Sequence, residues 1–116
     1  MRNAVRNLFK SNPYKALEKT IGYSFRKRNL LGTALVHRSF KHEHAEAIED
    51  NERMEFLGDS ALSLATGAWL YKRHPKIQEG DLTRLRSLMT SAKPLTELAR
   101  KIGLGSYLKL GRGEQL

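Results

Sequence analysis

No cysteine occurs in the 116 residues, which excludes a disulfide scaffold and thiolate-ligated zinc or iron–sulfur centres. Absence of thiols is compatible with a reducing cytoplasm, and that is the expected compartment. Long apolar runs are missing as well. The longest weakly polar stretch, Ala61 to Leu70, is interrupted by Ser63, Thr66 and Gly67, and it falls far short of the roughly 20 residues that cross a bilayer. No secretory apolar segment follows Met1, so no membrane partner is expected. Internal repeats and low-complexity tracts are also lacking. Acid is scarce over most of the chain: 12 Asp and Glu stand against 21 Lys and Arg, for a net charge of +9.

The placement of that charge says more than its total. Residues 1–41 carry ten Lys and Arg and a single acid, Glu18. Residues 42–59 reverse the balance, with seven acids against Arg53, and residues 60–116 return to ten basic residues against four acids. A basic body with one concentrated acidic block suits a protein that grips a polyanion backbone and performs metal chemistry at one spot. Ordinary solvation of a basic protein is the plainer reading of the same pattern. Residues 1–12 contain Arg2, Arg6 and Lys10 and no acid, with Val5, Leu8 and Phe9 between them. They are expected to form a short basic arm that adds nucleic-acid affinity; a mitochondrial transit segment is the alternative.

Residues 13–116 fit one domain. Pro13 begins a helix with Asn12 as its cap, Tyr14, Leu17 and Ile21 as its stripe and Gly22 as its stop. Asn29 caps a second helix whose Leu31, Ala34 and Leu35 point inward, with His37 at its end. Ser39 to Asp50 is polar and is expected to be a loop. A long third helix runs from about Asn51 to Lys72, ended by His74-Pro75. Gly80-Asp81 opens a fourth helix and Lys93-Pro94 a fifth, after which Gly103, Gly105, Gly111 and Gly113 break up the tail. No strand pattern stands out, so the fold class is all-α.

Inside the third helix, Glu52, Glu55 and Asp59 recur at spacings of three and four. At about 100° per residue they fall within an arc of about 60°. Met54, Leu57, Ala61, Ala65 and Ala68 gather on the opposite side and are expected to face the core. Like charges at this spacing repel by a few tenths of a kcal/mol. Converging carboxylates suit a hard divalent cation, since Mg²⁺ takes oxygen ligands from one or two carboxylates plus waters and phosphate. A solvated acidic face near a helix N-terminus is the bland counterpart. His37, His42 and His44 lack the fourth ligand and the spacing of a zinc site.

The stretch Asn51-Glu52-Arg53-Met54-Glu55-Phe56-Leu57-Gly58-Asp59-Ser60 closely resembles the signature of the ribonuclease III family of double-strand-specific RNA endonucleases. Only Met54 departs from it, standing where the family has Leu. Leu30 to Ser39 resembles the family's "ALTHRS" segment, Glu79 to Arg86 its "EGDLSRLR" run, and Leu95 to Gly105 its "LAELARKLGLG" run. Together these matches cover about residues 14–113. The resemblance implies an all-α endonuclease domain over residues 13–116 that hydrolyses phosphodiesters in double-stranded RNA, of the rRNA- and mRNA-processing type. It implies Mg²⁺, with Mn²⁺ as the alternative ion, held by Glu55 and Asp59 as the catalytic and metal-liganding acids. Glu52 matches an acid near partner or substrate, or is simply a helix-start carboxylate. Glu79 matches an acid that supports substrate positioning, or caps its helix. Phe56 is implied to pack against a second subunit of a homodimer, with burial in its own core as the alternative. Gly58, costly inside a helix by roughly 1 kcal/mol, is expected to allow close approach of that partner or of another helix, or is a tolerated weakness.

Relatives carry a second acidic pair on a later helix and, further on, a double-stranded RNA-binding domain. The resemblance therefore makes this domain incomplete on its C-terminal side. A non-catalytic RNA-binding or assembly module with the same fold is the alternative, and a small basic DNA-binding protein would leave the acidic arc unexplained. Arg84, Arg86, Lys93 and Arg100 are either backbone-tracking cations or a solvated face.

Overall fold

A computed structural model describes residues 11–47 and 49–115; most of the expected basic arm lies outside them. The first short helix, α1 (Lys15–Ile21), closes on Gly22, whose φ of 72° is the left-handed geometry that glycine adopts at little cost. Asn12 stands two residues before the cap position, which Tyr14 occupies. Its Oδ1 accepts from the Tyr14 N–H at 3.0 Å, and its Nδ2 donates to Glu18 Oε2 at 2.7 Å. Glu18 is a buried carboxylate, and its other oxygen accepts from the Phe25 N–H at 2.8 Å. That one side chain ties the approach to α1 to the turn beyond it.

α2 (Arg28–Ala34) begins after Lys27, one residue ahead of the expected cap at Asn29. Leu31 and Leu35 turn inward as expected and join Leu17 in a small core. Tyr14, Phe25, Ile102, Leu104, Tyr107 and Leu108 pack around it. The segment expected to be a loop contains a further helix, α3 (Arg38–Glu43). His37 starts this helix instead of ending the previous one: its Nδ1 accepts from the Ser39 N–H at 3.2 Å. Local sequence hides α3 because much of its support comes from far along the chain. Gly111 N–H donates to Ser39 Oγ at 2.8 Å, and Arg112 N–H donates to the Glu43 carboxylate at 3.1 Å. His37 N–H bonds Lys109 O at 3.0 Å and Lys109 N–H bonds Leu35 O at 2.8 Å, an isolated parallel bridge and not a sheet.

α4 (Glu52–Arg73) is the 22-residue signature helix and ends at His74, as expected from His74-Pro75. α5 (Glu79–Met89) packs back on its C-terminal half, and α6 (Ala92–Lys101) follows. Pro94 falls within the first turn of α6, where a missing N–H costs nothing. Two 3₁₀ turns, Leu104–Ser106 and Arg112–Glu114, complete the described residues. The all-α expectation holds for these residues.

The expected core face of α4 is corrected by the structure. Leu57 is 68% exposed and Leu64 75%, and Ala61, Ala65 and Ala68 are exposed with them, while Leu70 is only 2% exposed. On a helical wheel Leu70 lies on the side of Glu52 and Asp59. α4 therefore turns the continuation of its acidic side toward α5 and leaves its apolar side open. The radius of gyration, 17.9 Å, exceeds the roughly 13 Å of a compact chain of about 100 residues, consistent with a long helix packed mainly along one side.

Candidate metal-binding face

The acidic arc occupies the first two turns of α4. Glu52 sits at the helix start, its N–H accepted by Asp50 Oδ1 at 3.1 Å. Its carboxylate pairs with Arg38 Nη1 at 3.1 Å in an exposed ion pair. Asp50 pairs in turn with Lys41 Nζ at 3.7 Å. Glu55 and Asp59 are exposed, and among the described residues neither has a cationic partner within salt-bridge distance. Four residues apart, their Cα atoms are separated by about 6 Å of axial rise, one turn of helix. Two exposed, uncompensated carboxylates in that relation are the donor chemistry a hard divalent cation takes. A pair of this kind supplies only some of the oxygen ligands that such an ion takes. Among the described residues, no group of three or more His, Asp or Glu side chains converges on a metal position.

The remaining candidate residues line separate hollows or other sides of the helix. Glu79 opens α5 and lines a groove of about 390 Å³ with Ser63, Gly67, Leu70, Leu82 and Arg86. That groove lies beyond Asp59 along the helix. Glu52 and Phe56 share a second hollow of about 790 Å³ with Thr33, Lys41, Asp50 and Leu57. Phe56 is 80% exposed, so it fills no core of its own. Among the described residues, a Cβ added at Gly58 would meet nothing within 4 Å. Phe56 and Gly58 are two residues apart, about 200° around the helix, so they face different sides of α4.

Sequence reasoning missed Arg38, Lys41 and Asp50, whose ion pairs lie at the entrance to the acidic block. Their proximity to Glu52 depends on α3, which the local pattern did not reveal. Among the expected phosphate-tracking cations, Arg84 pairs with Asp81 at 3.7 Å, and the stem of Arg86 packs at the position facing Gly67. Lys93 and Arg100 stand exposed.

A family model described as Ribonuclease-III-like matches residues 27–116. The ribonuclease 3 of Idiomarina loihiensis is 46% identical over 102 residues, covering 88% of this chain and 42% of that protein. The ribonuclease 3 of Desulfotalea psychrophila is 46% identical over 112 residues, covering 95% and 46%. The chain thus spans a little under half the length of these curated relatives. Two solved structures of the nuclease domain of ribonuclease III from Campylobacter jejuni superpose with TM-scores of 0.78 and 0.77, at 35% and 34% identity. They cover 88% and 90% of this chain and 68% of each nuclease-domain chain, and one is described by structural flexibility in a region involved in dimer formation. A family match over residues 27–116, a range that includes the helix bearing Glu55 and Asp59, makes this chain a member of the ribonuclease III family.

Proposed function

We propose that residues 13–116 belong to the endonuclease domain of a ribonuclease III-type enzyme that hydrolyses phosphodiester bonds in double-stranded RNA, with residues 1–12 as a basic arm. The observation that carries this is the pair Glu55 and Asp59, one turn apart, exposed and without cationic partners among the described residues, within the family-matched segment. The two carboxylates supply hard oxygen ligands for Mg²⁺, with Mn²⁺ as the alternative. An ion held there would activate water and stabilise the departing 3′ oxygen. Glu52, paired with Arg38, shapes the approach to that face, and Glu79 lines the adjoining groove as a substrate-positioning acid. The excess of cations over the rest of the chain draws in the phosphate backbone, and A-form RNA is read by its shape and 2′-hydroxyls. The exposed Phe56 ring is the contact for a second copy of the chain, giving a homodimer. Substrates of the rRNA- and mRNA-precursor type place the enzyme in the cytoplasm. No helix among the described residues is long and apolar enough to cross a membrane.

The test joins this chain to the part of the Idiomarina loihiensis protein that it does not span. The joined protein should cut duplex RNA only with a divalent ion, and Asp59→Asn should abolish cutting while leaving RNA binding intact. Loss of one electrostatic stabiliser commonly costs about 10²–10³ in rate. Cutting by Asp59→Asn at the unmodified rate would remove the assignment. A second reading, a non-catalytic RNA-binding or assembly module, is favoured by the lack of a third converging ligand among the described residues. It expects RNA binding without cutting from the joined protein.

A further inference from the structure

Asn51 occupies the N-cap position of α4 but makes no side-chain capping bond. Asparagine is among the best caps because its side-chain oxygen accepts a first-turn N–H. Here Asp50 performs that service for Glu52, and the Asn51 amide is used as a donor elsewhere. Asn51 Nδ2 donates to Ala34 O at 2.9 Å, and the Asn51 N–H donates to Val36 O at 2.8 Å. The Asn51 carbonyl in turn accepts the Glu55 N–H at 2.7 Å. One residue therefore joins the crossing segment 34–36 directly to the backbone of a candidate metal ligand.

That segment is a firm support. Leu35 and Val36 are buried, and the bridge to Lys109 holds the same strand of backbone from its other side. Among the described residues, half-buried Met54 is the main other anchor of the first half of α4. Phe56 and Leu57 are exposed, and the Arg38–Glu52 pair lies in solvent, where such pairs contribute little. Helix ends fray from the first turn, which lacks internal partners for its N–H groups. Glu55 and Asp59 share a face only while residues 52–59 stay helical.

We infer that Asn51 is a positioning residue for the metal face. It hangs the first turns of α4 from the 34–36 backbone, so that the Glu55 and Asp59 carboxylates are presented together without Asn51 touching the ion. This rests on the reading of Glu55 and Asp59 as metal-holding. Groups that orient ligands without touching a metal typically contribute about 10–100-fold in affinity.

The test is Mn²⁺ binding to the 116-residue chain, read by electron paramagnetic resonance of the free ion, with helix content checked by circular dichroism. Asn51→Ala should weaken Mn²⁺ binding on the order of tenfold, while a substantial part is recovered in Asn51→His, whose ring Nδ1–H can replace the amide donor. Gly22→Ala serves as the control. It strains the left-handed turn after α1 and lowers global stability, yet it leaves the clamp intact and should leave Mn²⁺ affinity unchanged. Asp59→Asn should lose binding altogether. If Asn51→Ala binds Mn²⁺ as tightly as the unmodified chain, or only in proportion to Gly22→Ala, the positioning role is overturned and the metal reading stands. If the unmodified chain and Asp59→Asn bind Mn²⁺ alike, both are overturned together.

Discussion

Replacing Gly58 with alanine should make this chain more stable. Gly58 lies in the interior of α4, its φ is not positive, and an added Cβ would meet nothing within 4 Å. The change therefore carries no steric cost among the described residues and gains the helix propensity that glycine forgoes, about 0.8–1 kcal/mol. Part of that gain comes from an unfolded chain with less backbone freedom to lose. For a domain of this size 1 kcal/mol moves a thermal midpoint by roughly 4–8 °C. The assay is thermal unfolding followed by far-ultraviolet circular dichroism at two protein concentrations well separated from each other. A higher midpoint at low concentration is the expected result. A homodimer that packs against Gly58 would reverse the sign only at high concentration, because the stability of a dimer depends on protomer concentration. A lower midpoint at both concentrations would refute the reasoning, since it would mean that a surface of the chain itself occupies the space beside Gly58.

Gly111→Ala should do the opposite: its Cβ would stand 2.9 Å from Ser39 O, Ser39 Cβ and Glu43 Oε1. Displacing that junction should cost about 1–3 kcal/mol, read as a lower urea midpoint at unchanged slope; a neutral result would show that the tail docks differently. Phe56→Glu should shift the sedimentation profile toward monomer while changing monomer stability by less than about 0.5 kcal/mol, because the ring is 80% exposed. An unaltered mass distribution would remove Phe56 from the subunit contact. Binding to duplex RNA should weaken steeply as salt rises from 50 to 200 mM through counterion release, and an affinity indifferent to salt would contradict the role given to the net charge of +9.

Short-range periodicity was sufficient for α4 and its three acids, because a helical arc depends on spacing alone. The inward direction of Leu31 and Leu35 followed for the same reason. α3 was not legible: residues 38–43 owe much of their support to Lys109, Gly111 and Arg112, about 70 positions away in sequence. The ion pairs of Arg38 and Lys41 were hidden with it. The burial of α4 was misjudged because an apolar stripe reveals which face prefers cover and not which face receives it. Leu70 and Gly67 took the contact with α5 while Leu57 and Leu64 stayed in solvent. Phe56 and Gly58 read as neighbours along the sequence, although the helix sends them to opposite sides.

The open apolar side of α4 has a calorimetric consequence. Unfolding raises heat capacity in proportion to the apolar surface newly wetted, ordinarily about 1.2–1.5 kcal/mol/K for 100 residues. Here Leu57, Leu64 and Tyr71 already meet water in the folded chain, and only five apolar side chains among the described residues are buried. The heat-capacity step of the isolated chain should fall below that range, and its urea slope should be correspondingly shallow. Its stability curve is then flatter, changing less with temperature than that of a fully packed domain of this length.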